Sequence, residues 1–368
     1  MKYYLIAGEK SGDLHGSNLM KALGKKDPGA IFRYWGGDMM QSVAGELVVH
    51  YNQLAVMGFL EVLSNINRIQ KLISKCKADI IEYQPDVVIL IDFAGFNLRI
   101  AKFASKRGIK VFYYISPKVW AWNTSRAWKI KKNVDRMFVI LPFEKEFYKK
   151  FDWEVDYVGN PVLESVTNFH PDPTFKKRFD NNKMPLIAAL PGSREQEIRQ
   201  VLPVFSQVMA EMVNYQFLVA RVSSVHHSLY EEVSGFPNVT LIDEDSYNIL
   251  SIAQYAIVTS GTATLETALF NVPQVVVYKT GRVSYNIAKN LIKVPFISLV
   301  NLVAGEKVVE ELIQNQCNAE KVKSEIMKLE VDEYRSIILL GYKKVKNNLG
   351  SENASSRAAS LMFNYLSI

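Results

Sequence analysis

Cysteine is nearly absent: Cys76 and Cys317 are the only two in 368 residues, and they lie far apart in the chain. Two cysteines supply neither a disulfide framework nor a zinc-ligand set, which fits a reducing cytoplasm. No apolar run approaches the roughly 18 residues of a membrane-spanning helix, so any membrane contact is expected to be peripheral. The first apolar run, Tyr3 to Ala7, is too short for a secretory leader and has no small-residue cleavage site after it. Two phosphate motifs are also missing. The glycines near the N-terminus form neither Gly-x-x-x-x-Gly-Lys-Ser/Thr nor Gly-x-Gly-x-x-Gly, which counts against kinase, ATPase and NAD-dependent chemistry.

What is present is apolar material and positive charge. Hydrophobic residues make up 48% of the chain and charged residues 22%, which excludes a mainly disordered protein. A chain of this length suits two domains better than one core. The net charge of +7 favours anionic partners, whether nucleic acid, anionic lipid or a phosphorylated substrate. Arg126, Lys129, Lys131, Lys132 and Arg136 crowd one stretch, and Lys343, Lys344 and Lys346 another. A solvated helix face explains either equally well. No nucleic-acid reader motif accompanies them, so nucleic acid is not expected as a partner.

Strand and helix signals alternate along both halves. Tyr3 to Ala7, Asp86 to Ile91, Lys110 to Ile115 and Arg136 to Leu141 read as buried strands, with helices over Asp13 to Leu23 and Phe96 to Lys106. His170-Pro171-Asp172-Pro173 and Asp180 to Lys183 read as linker and turn. The pattern then restarts with strands at Leu186 to Leu190, Gln216 to Ala220, Val239 to Ile242, Tyr255 to Thr259 and Gln274 to Tyr278. Repetition of this kind predicts two Rossmann-like, doubly wound parallel-sheet domains with a cleft between them. The expected division is 1–168, 169–342 and a helical tail, 343–368.

Several loops follow a strand and open a helix, where free N–H groups and the positive end of the helix dipole suit phosphate. In Pro191-Gly192-Ser193-Arg194, Gly192 permits close backbone approach, Ser193 is the expected N-cap with Gln196 completing a capping box, and Arg194 can grip a phosphate. A well-capped helix with a surface arginine is the plainer alternative. Ser260-Gly261-Thr262-Ala263-Thr264-Leu265-Glu266 repeats the arrangement; its small residues suit a diphosphate and Glu266 could hold ribose hydroxyls. An ordinary strand-to-helix loop is the alternative there. Near the N-terminus, Gly8 and Gly12 are expected to let a substrate approach, and His15 is a candidate base. Asp92 ends a buried strand and is a candidate general base or a cap for the next helix. Asp243-Glu244-Asp245 resembles a metal-binding Asp-x-Asp but reads better as a helix cap, so no metal is expected. The apolar run Leu54 to Leu63, with Met57, Phe59 and Leu60, and the amphipathic stretch after it read as a core helix or one lying on anionic lipid.

Taken in order, Ala7-Gly8-Glu9-Lys10-Ser11-Gly12-Asp13, Ala55-Val56-Met57-Gly58 with Glu61-Val62-Leu63, Ser116 to Trp122, Leu141-Pro142-Phe143-Glu144, Leu190 to Arg194, Ser260 to Glu266 and Asn301 to Gly305 resemble the lipid-A-disaccharide synthase family over essentially the whole chain. The resemblance implies a GT-B glycosyltransferase that inverts configuration without metal or other cofactor. It implies UDP-2,3-diacylglucosamine as donor, 2,3-diacylglucosamine 1-phosphate as acceptor, and a β-1,6-linked disaccharide 1-phosphate plus UDP as products. It further implies a peripheral enzyme on the cytoplasmic face of the inner membrane and a homodimer that exchanges C-terminal segments. By position, Asp92 and Arg194 match catalytic residues. Gly8, Glu9, Ser11, Gly12, Asp13, Met57, Gly192, Ser193, Ser260 to Thr264, Glu266 and Asn301 are carried over as substrate-binding. Some relatives have a second Asp where Gly95 stands here, so the reading rests on Asp92 alone. The competing readings are another UDP-sugar enzyme, such as an epimerase or soluble-sugar transferase, and a non-catalytic UDP-sugar-binding protein.

Overall fold

The computed structural model describes residues 1–54, 66–179, 183–223, 225–243, 245–281, 285–286, 289, 294–350 and 353–367. Met57, with Phe59, Leu60 and the rest of 55–65, lies outside the described residues, as does Glu244. The chain divides into two compact units, 1–161 with 351–368, and 162–350. The breaks expected at 168/169 and 342/343 differ from this. The second would have cut the continuous helix Asp332–Leu349, whose Tyr342, Val345 and Leu349 are buried.

The first unit is built on seven strands: β1 (Lys2–Ala7), β2 (Ile31–Gly36), β3 (Glu46–His50), β4 (Val87–Ile91), β5 (Lys110–Tyr114), β6 (Arg136–Val139) and β7 (Asp156–Tyr157). Their order is β3-β2-β1-β4-β5-β6-β7 and every pairing is parallel. Parallel strands need both faces covered, hence the unbroken apolar runs. Alternate residues serve opposite cores. Tyr4, Ile6, Val88, Leu90, Val111 and Tyr113 face a cluster shared with Ile73 and Ile80 of helix Ile66–Tyr83 and Phe96 and Ile100 of helix Ala94–Ser105. Tyr3, Leu5, Val87, Ile89 and Phe112 face the other core, with Leu19 and Met20 of helix Lys10–Lys26.

The C-terminal helix Ala354–Ser367 completes that second layer. Ala358, Ala359 and Met362 are fully buried against it, Tyr365 donates to Asp156 at 3.2 Å, and the Arg136 guanidinium stacks 3.9 Å from the Tyr365 ring centre.

The second unit carries β8 (Leu186–Leu190), β9 (Gln216–Arg221), β10 (Val239–Asp243), β11 (Tyr255–Thr259), β12 (Gln274–Tyr278) and β13 (Glu310–Ile313), ordered β10-β9-β8-β11-β12-β13. These pairings are parallel too. Both sheets therefore have the doubly wound pattern expected from the alternation of signals.

Truncating Met362 to Ala removes a wholly buried side chain and should cost about 2–5 kcal/mol. Urea denaturation of the Met362→Ala variant measures this, and an unchanged midpoint would show that the C-terminal helix is not part of this core.

Candidate functional site

In each sheet the strand order reverses once, and it is there that loops diverge to leave a crevice at the strand C-termini. In the first unit the reversal falls between β1 and β4, where Ala7 pairs with Ile91. That register sets the Gly8 loop beside Asp92. In the second it falls between β8 and β11, where Leu190 pairs with Val258. The Pro191–Arg194 loop thus lies beside Thr259 and Ser260. The candidate residues, drawn from distant parts of the sequence, are grouped by backbone pairing within each unit.

The turn after β4 is conformationally unusual. Asp92 and Phe93 have φ of 44° and 46°, the left-handed region that non-glycine residues rarely occupy, at a cost of order 1–3 kcal/mol each. Surrounding contacts hold it there. Asn97, fully buried, donates its amide to the carbonyls of Asp92 at 2.8 Å and Ile91 at 3.2 Å. The Tyr113 hydroxyl donates to the same Asp92 carbonyl, and the Asp92 amide donates to Tyr114. The Phe93 ring fills the space above Gly8: a Cβ on Gly8 would fall 2.2 Å from it. Gly8 is therefore required by packing against Phe93. The N-cap of the following helix is Phe93, one residue beyond Asp92.

Helix Lys10–Lys26 begins at once after Glu9, earlier than the expected Asp13, so Ser11, Gly12 and Asp13 lie in its first turn. Glu9 and Ser11 are exposed there. Asp13 is buried and accepts from the amides of Gly37 at 2.7 Å, Met39 at 3.0 Å and Met40 at 3.1 Å. Its carboxylate holds the Gly36-Gly37 turn in place. His15 is buried, which pushes its imidazole down to about 4, and its Nδ1 has no hydrogen-bond partner. Burial therefore keeps the imidazole neutral at neutral pH.

Glu144, 1% exposed, ties two further motifs together. It accepts from the amides of Leu141 at 2.9 Å and Ile140 at 3.2 Å and from the Trp120 indole at 3.1 Å. Burial pushes its carboxyl up to about 7.

In the second unit Gly192 has φ of 109°, which a side chain would strain. Helix Glu195–Glu211 is N-capped by Arg194 with no side-chain capping bond, so the expected Ser193–Gln196 capping box does not form. The extended backbone at Arg194 delays the helix by one residue and leaves Ser193 exposed. The Arg194 side chain is 69% exposed and 3.2 Å from Glu197. An exposed pair of this kind contributes little to stability, so the guanidinium is available to an anion.

Gly261 N-caps helix Thr262–Leu269, whose first turn leaves the amides of Thr262 and Ala263 without intrahelical acceptors. Thr262 is exposed, whereas the buried Thr264 hydroxyl donates to the Gly261 carbonyl at 2.8 Å. Ser260 donates to the Ile297 carbonyl at 2.9 Å. Residue 297 is in turn held by Glu311, which accepts from the amides of Ile297 and Ser298, each at 2.9 Å. Asn301 belongs to this support. It is fully buried, donates to Val309 and Glu311, and accepts from the amides of Val308 and Val309. Its side-chain hydrogen-bonding positions are all filled, and they tie the loop framework together. The sequence reading missed Glu311 and the clamp formed by Asn97 and Tyr113. Nothing in the local sequence around Asn97, Tyr113 or Glu311 marks these side chains for such a role, because each acts on backbone groups distant in the chain or across a turn.

Asp245 caps helix Ser246–Ile252, accepting from Asn248 at 3.3 Å, and Asp243 pairs with Arg221 at 2.5 Å. Both carboxylates thus have structural work within the fold.

The Glu266 carboxyl is pushed up to about 7 by burial, opposed by a hydrogen bond from Tyr247 at 3.3 Å. Below that pH the folded state holds a proton that the unfolded chain, with an ordinary carboxyl near 4.3, has released. The folded state binds more protons, so stability falls as pH rises between those values and levels off above. Urea midpoints measured across this range should fall for the wild type relative to Glu266→Gln; parallel curves would show that Glu266 is not buried in this way.

The model of the family described as lipid-A-disaccharide synthetase matches residues 3–362. A lipid-A-disaccharide synthase of Syntrophus aciditrophicus (strain SB) is 38% identical over 364 residues, covering 96% of this chain and 95% of the relative. One of Coxiella burnetii (strain Dugway 5J108-111) is 35% identical over 370 residues, covering 98% of each. Among solved structures, UDP-GlcNAc 2-epimerase from Neisseria meningitidis bound to UDP-GlcNAc aligns with a TM-score of 0.70 at 16% identity, covering 99% of this chain and 100% of that one. The glycotransferase of kitacinnamycin aligns at 0.69 and 13%, covering 99% of each. At such identities these two show the fold, which is of the GT-B type.

Proposed function

The chain belongs to the lipid-A-disaccharide synthetase family, and we propose that it is the glycosyltransferase that joins two acylated glucosamine units. The donor is UDP-2,3-diacylglucosamine and the acceptor is 2,3-diacylglucosamine 1-phosphate. The observation that carries the reading is the family match over residues 3–362, combined with the motif loops' place at the strand-order reversal of each sheet.

In the proposed step the acceptor 6-hydroxyl oxygen forms a bond to the donor anomeric carbon. The bond from that carbon to the diphosphate oxygen breaks, with inversion to the β-linkage. Asp92 takes the hydroxyl proton, a role typically worth about 10²–10⁴-fold in rate. Its support for this role is its place on a strained turn at the end of β4. UDP leaves with the bonding electrons. The Thr262 and Ala263 amides, the Gly192 turn and the exposed Arg194 guanidinium stabilise that charge without a metal or other cofactor. Glu266, beside these amides, is assigned to the ribose, and Glu9 and Ser11 to the acceptor.

The acylated substrates make a peripheral site on the cytoplasmic face of the inner membrane the natural location. No helix among the described residues is long and apolar enough to cross a membrane. Exchange of helix Ala354–Ser367 between two copies, which the family resemblance implies, would preserve its packing on helix Lys10–Lys26. The fold shared with UDP-GlcNAc 2-epimerases supports a second reading, turnover of a water-soluble UDP-sugar.

The test is UDP release in detergent with EDTA from the acylated donor and acceptor, with UDP-N-acetylglucosamine as a parallel substrate. Wild type should release UDP only with the acylated pair. Asp92→Ala should lower kcat by about 10²–10⁴-fold, and Arg194→Ala by an amount corresponding to about 3–4 kcal/mol, both remaining folded. Near-normal kcat in either variant removes that residue from the step, and turnover of the soluble sugar alone favours the second reading.

A further inference from the structure

Between Asp92 and Asp135 the chain has no acidic residue and ten basic ones. Eight of the ten lie on, or directly after, helices Ala94–Ser105 and Arg126–Lys131. Helices Ala94–Ser105 and Arg126–Lys131 and helix Ile66–Tyr83 all send apolar residues into the same core on one sheet face, including Ile73, Ile100 and Ile130. Their polar sides therefore form one outer layer. Between the first and last of them runs a groove of about 370 Å³, lined by Lys77, Arg99, Lys102, Lys106, Arg107 and the Phe103 ring, without a carboxylate. Lys77 and Arg107 lie over that ring at 5.3 and 3.9 Å.

A solvated helix face ordinarily interleaves both signs of charge. Here none of the five cations has a carboxylate within salt-bridge distance among the described residues. The helix dipole accounts for Lys102, Lys106 and Arg107 near a helix C-terminus. It does not account for Arg99, nor for Lys77 on the neighbouring helix. Like charges one turn apart, as at Lys102 and Lys106, destabilise a helix, so an anionic surface would relieve a repulsion built into the fold. On helix Ile66–Tyr83 the two acids are Asp79 and Glu82. Asp79 is buried and paired with Arg33 at 2.6 Å, and Glu82 lies in the last turn. Elsewhere on the same layer Trp122 and Trp128 are 40% and 46% exposed, with Arg126 4.7 Å from the first ring and Lys131 5.6 Å from the second. Exposed tryptophans beside cations suit the headgroup zone of a bilayer.

We propose that this helical layer docks on an anionic lipid surface, with the Lys77–Arg99–Lys102–Arg107 groove seating phosphate headgroups and Trp122 and Trp128 entering the interface. The proposal deepens the functional reading above, because it names the surface that would bring the enzyme to lipid-borne substrates.

The test uses the full chain with sedimented vesicles of phosphatidylcholine and phosphatidylglycerol in equal parts, and of phosphatidylcholine alone. Wild type should bind the mixed vesicles and not the neutral ones. Replacing Lys77, Arg99, Lys102 and Arg107 together by Gln should weaken binding by about 100-fold or more, and Trp122→Ser with Trp128→Ser should weaken it independently. Both variants should keep wild-type UDP release in detergent, which also shows that they fold. Equal binding of wild type to neutral vesicles, unchanged binding of the charge variant, or tighter binding of wild type to a single-stranded RNA than to mixed vesicles overturns the proposal. Vesicle binding without transfer in detergent by wild type defeats the functional reading and leaves the docking intact. Transfer in detergent without vesicle binding by wild type does the reverse.

Discussion

The pairing of β1 with β4, and of β8 with β11, is the constraint on which the candidate site depends. A doubly wound sheet grows outward from such a pair in opposite directions. The connections leaving the two central strands therefore part company at their C-terminal ends. The backbone ladder carries Ala7 to Ile91 and Leu190 to Val258, and the residues that follow are set side by side without any contact of their own being needed. Apolar burial on both faces holds that ladder, with Tyr4, Ile6, Val88 and Leu90 on one side and Tyr3, Leu5, Val87 and Ile89 on the other.

Much of what surrounds the candidate ligand positions is scaffolding. The Asp13 carboxylate holds three amides, the Asn301 carboxamide a loop, and the Glu144 carboxyl the junction of two motifs. Each holds backbone polar groups that burial would otherwise leave unpaired at a cost of roughly 1–3 kcal/mol apiece. The Asp92–Phe93 turn shows why such support is needed. Two successive left-handed residues persist because Asn97 and Tyr113 converge on one carbonyl and because glycine at position 8 admits the Phe93 ring. Motif membership therefore mixes residues that can meet a ligand, such as Arg194, Thr262 and Ser11, with residues that hold those in place.

The sequence by itself determined the class of fold and the family. Strands buried on both faces are written as unbroken apolar runs, and β1, β4, β5, β6 and β8 to β12 were legible for that reason. Strands β2, β3, β7 and β13 were not, since they are short, lie toward or at a sheet edge, or carry charged residues. Arg33 inside β2 is tolerated only because Asp79, forty-six positions away, pairs with it at 2.6 Å. Helix starts slipped by a few residues at Lys10 and Arg194 because main-chain geometry, set by the preceding strand, decided where the first turn began. Tertiary structure alone decided the fate of individual polar residues. The burial of His15, Asp13 and Asn301, and the distant amides that Asp13 and Asn301 hold, have no counterpart in the local sequence. Hydrophobic periodicity is a local signal and survives in the sequence; hydrogen-bond partnership is a long-range one and exists only once the chain has closed on itself.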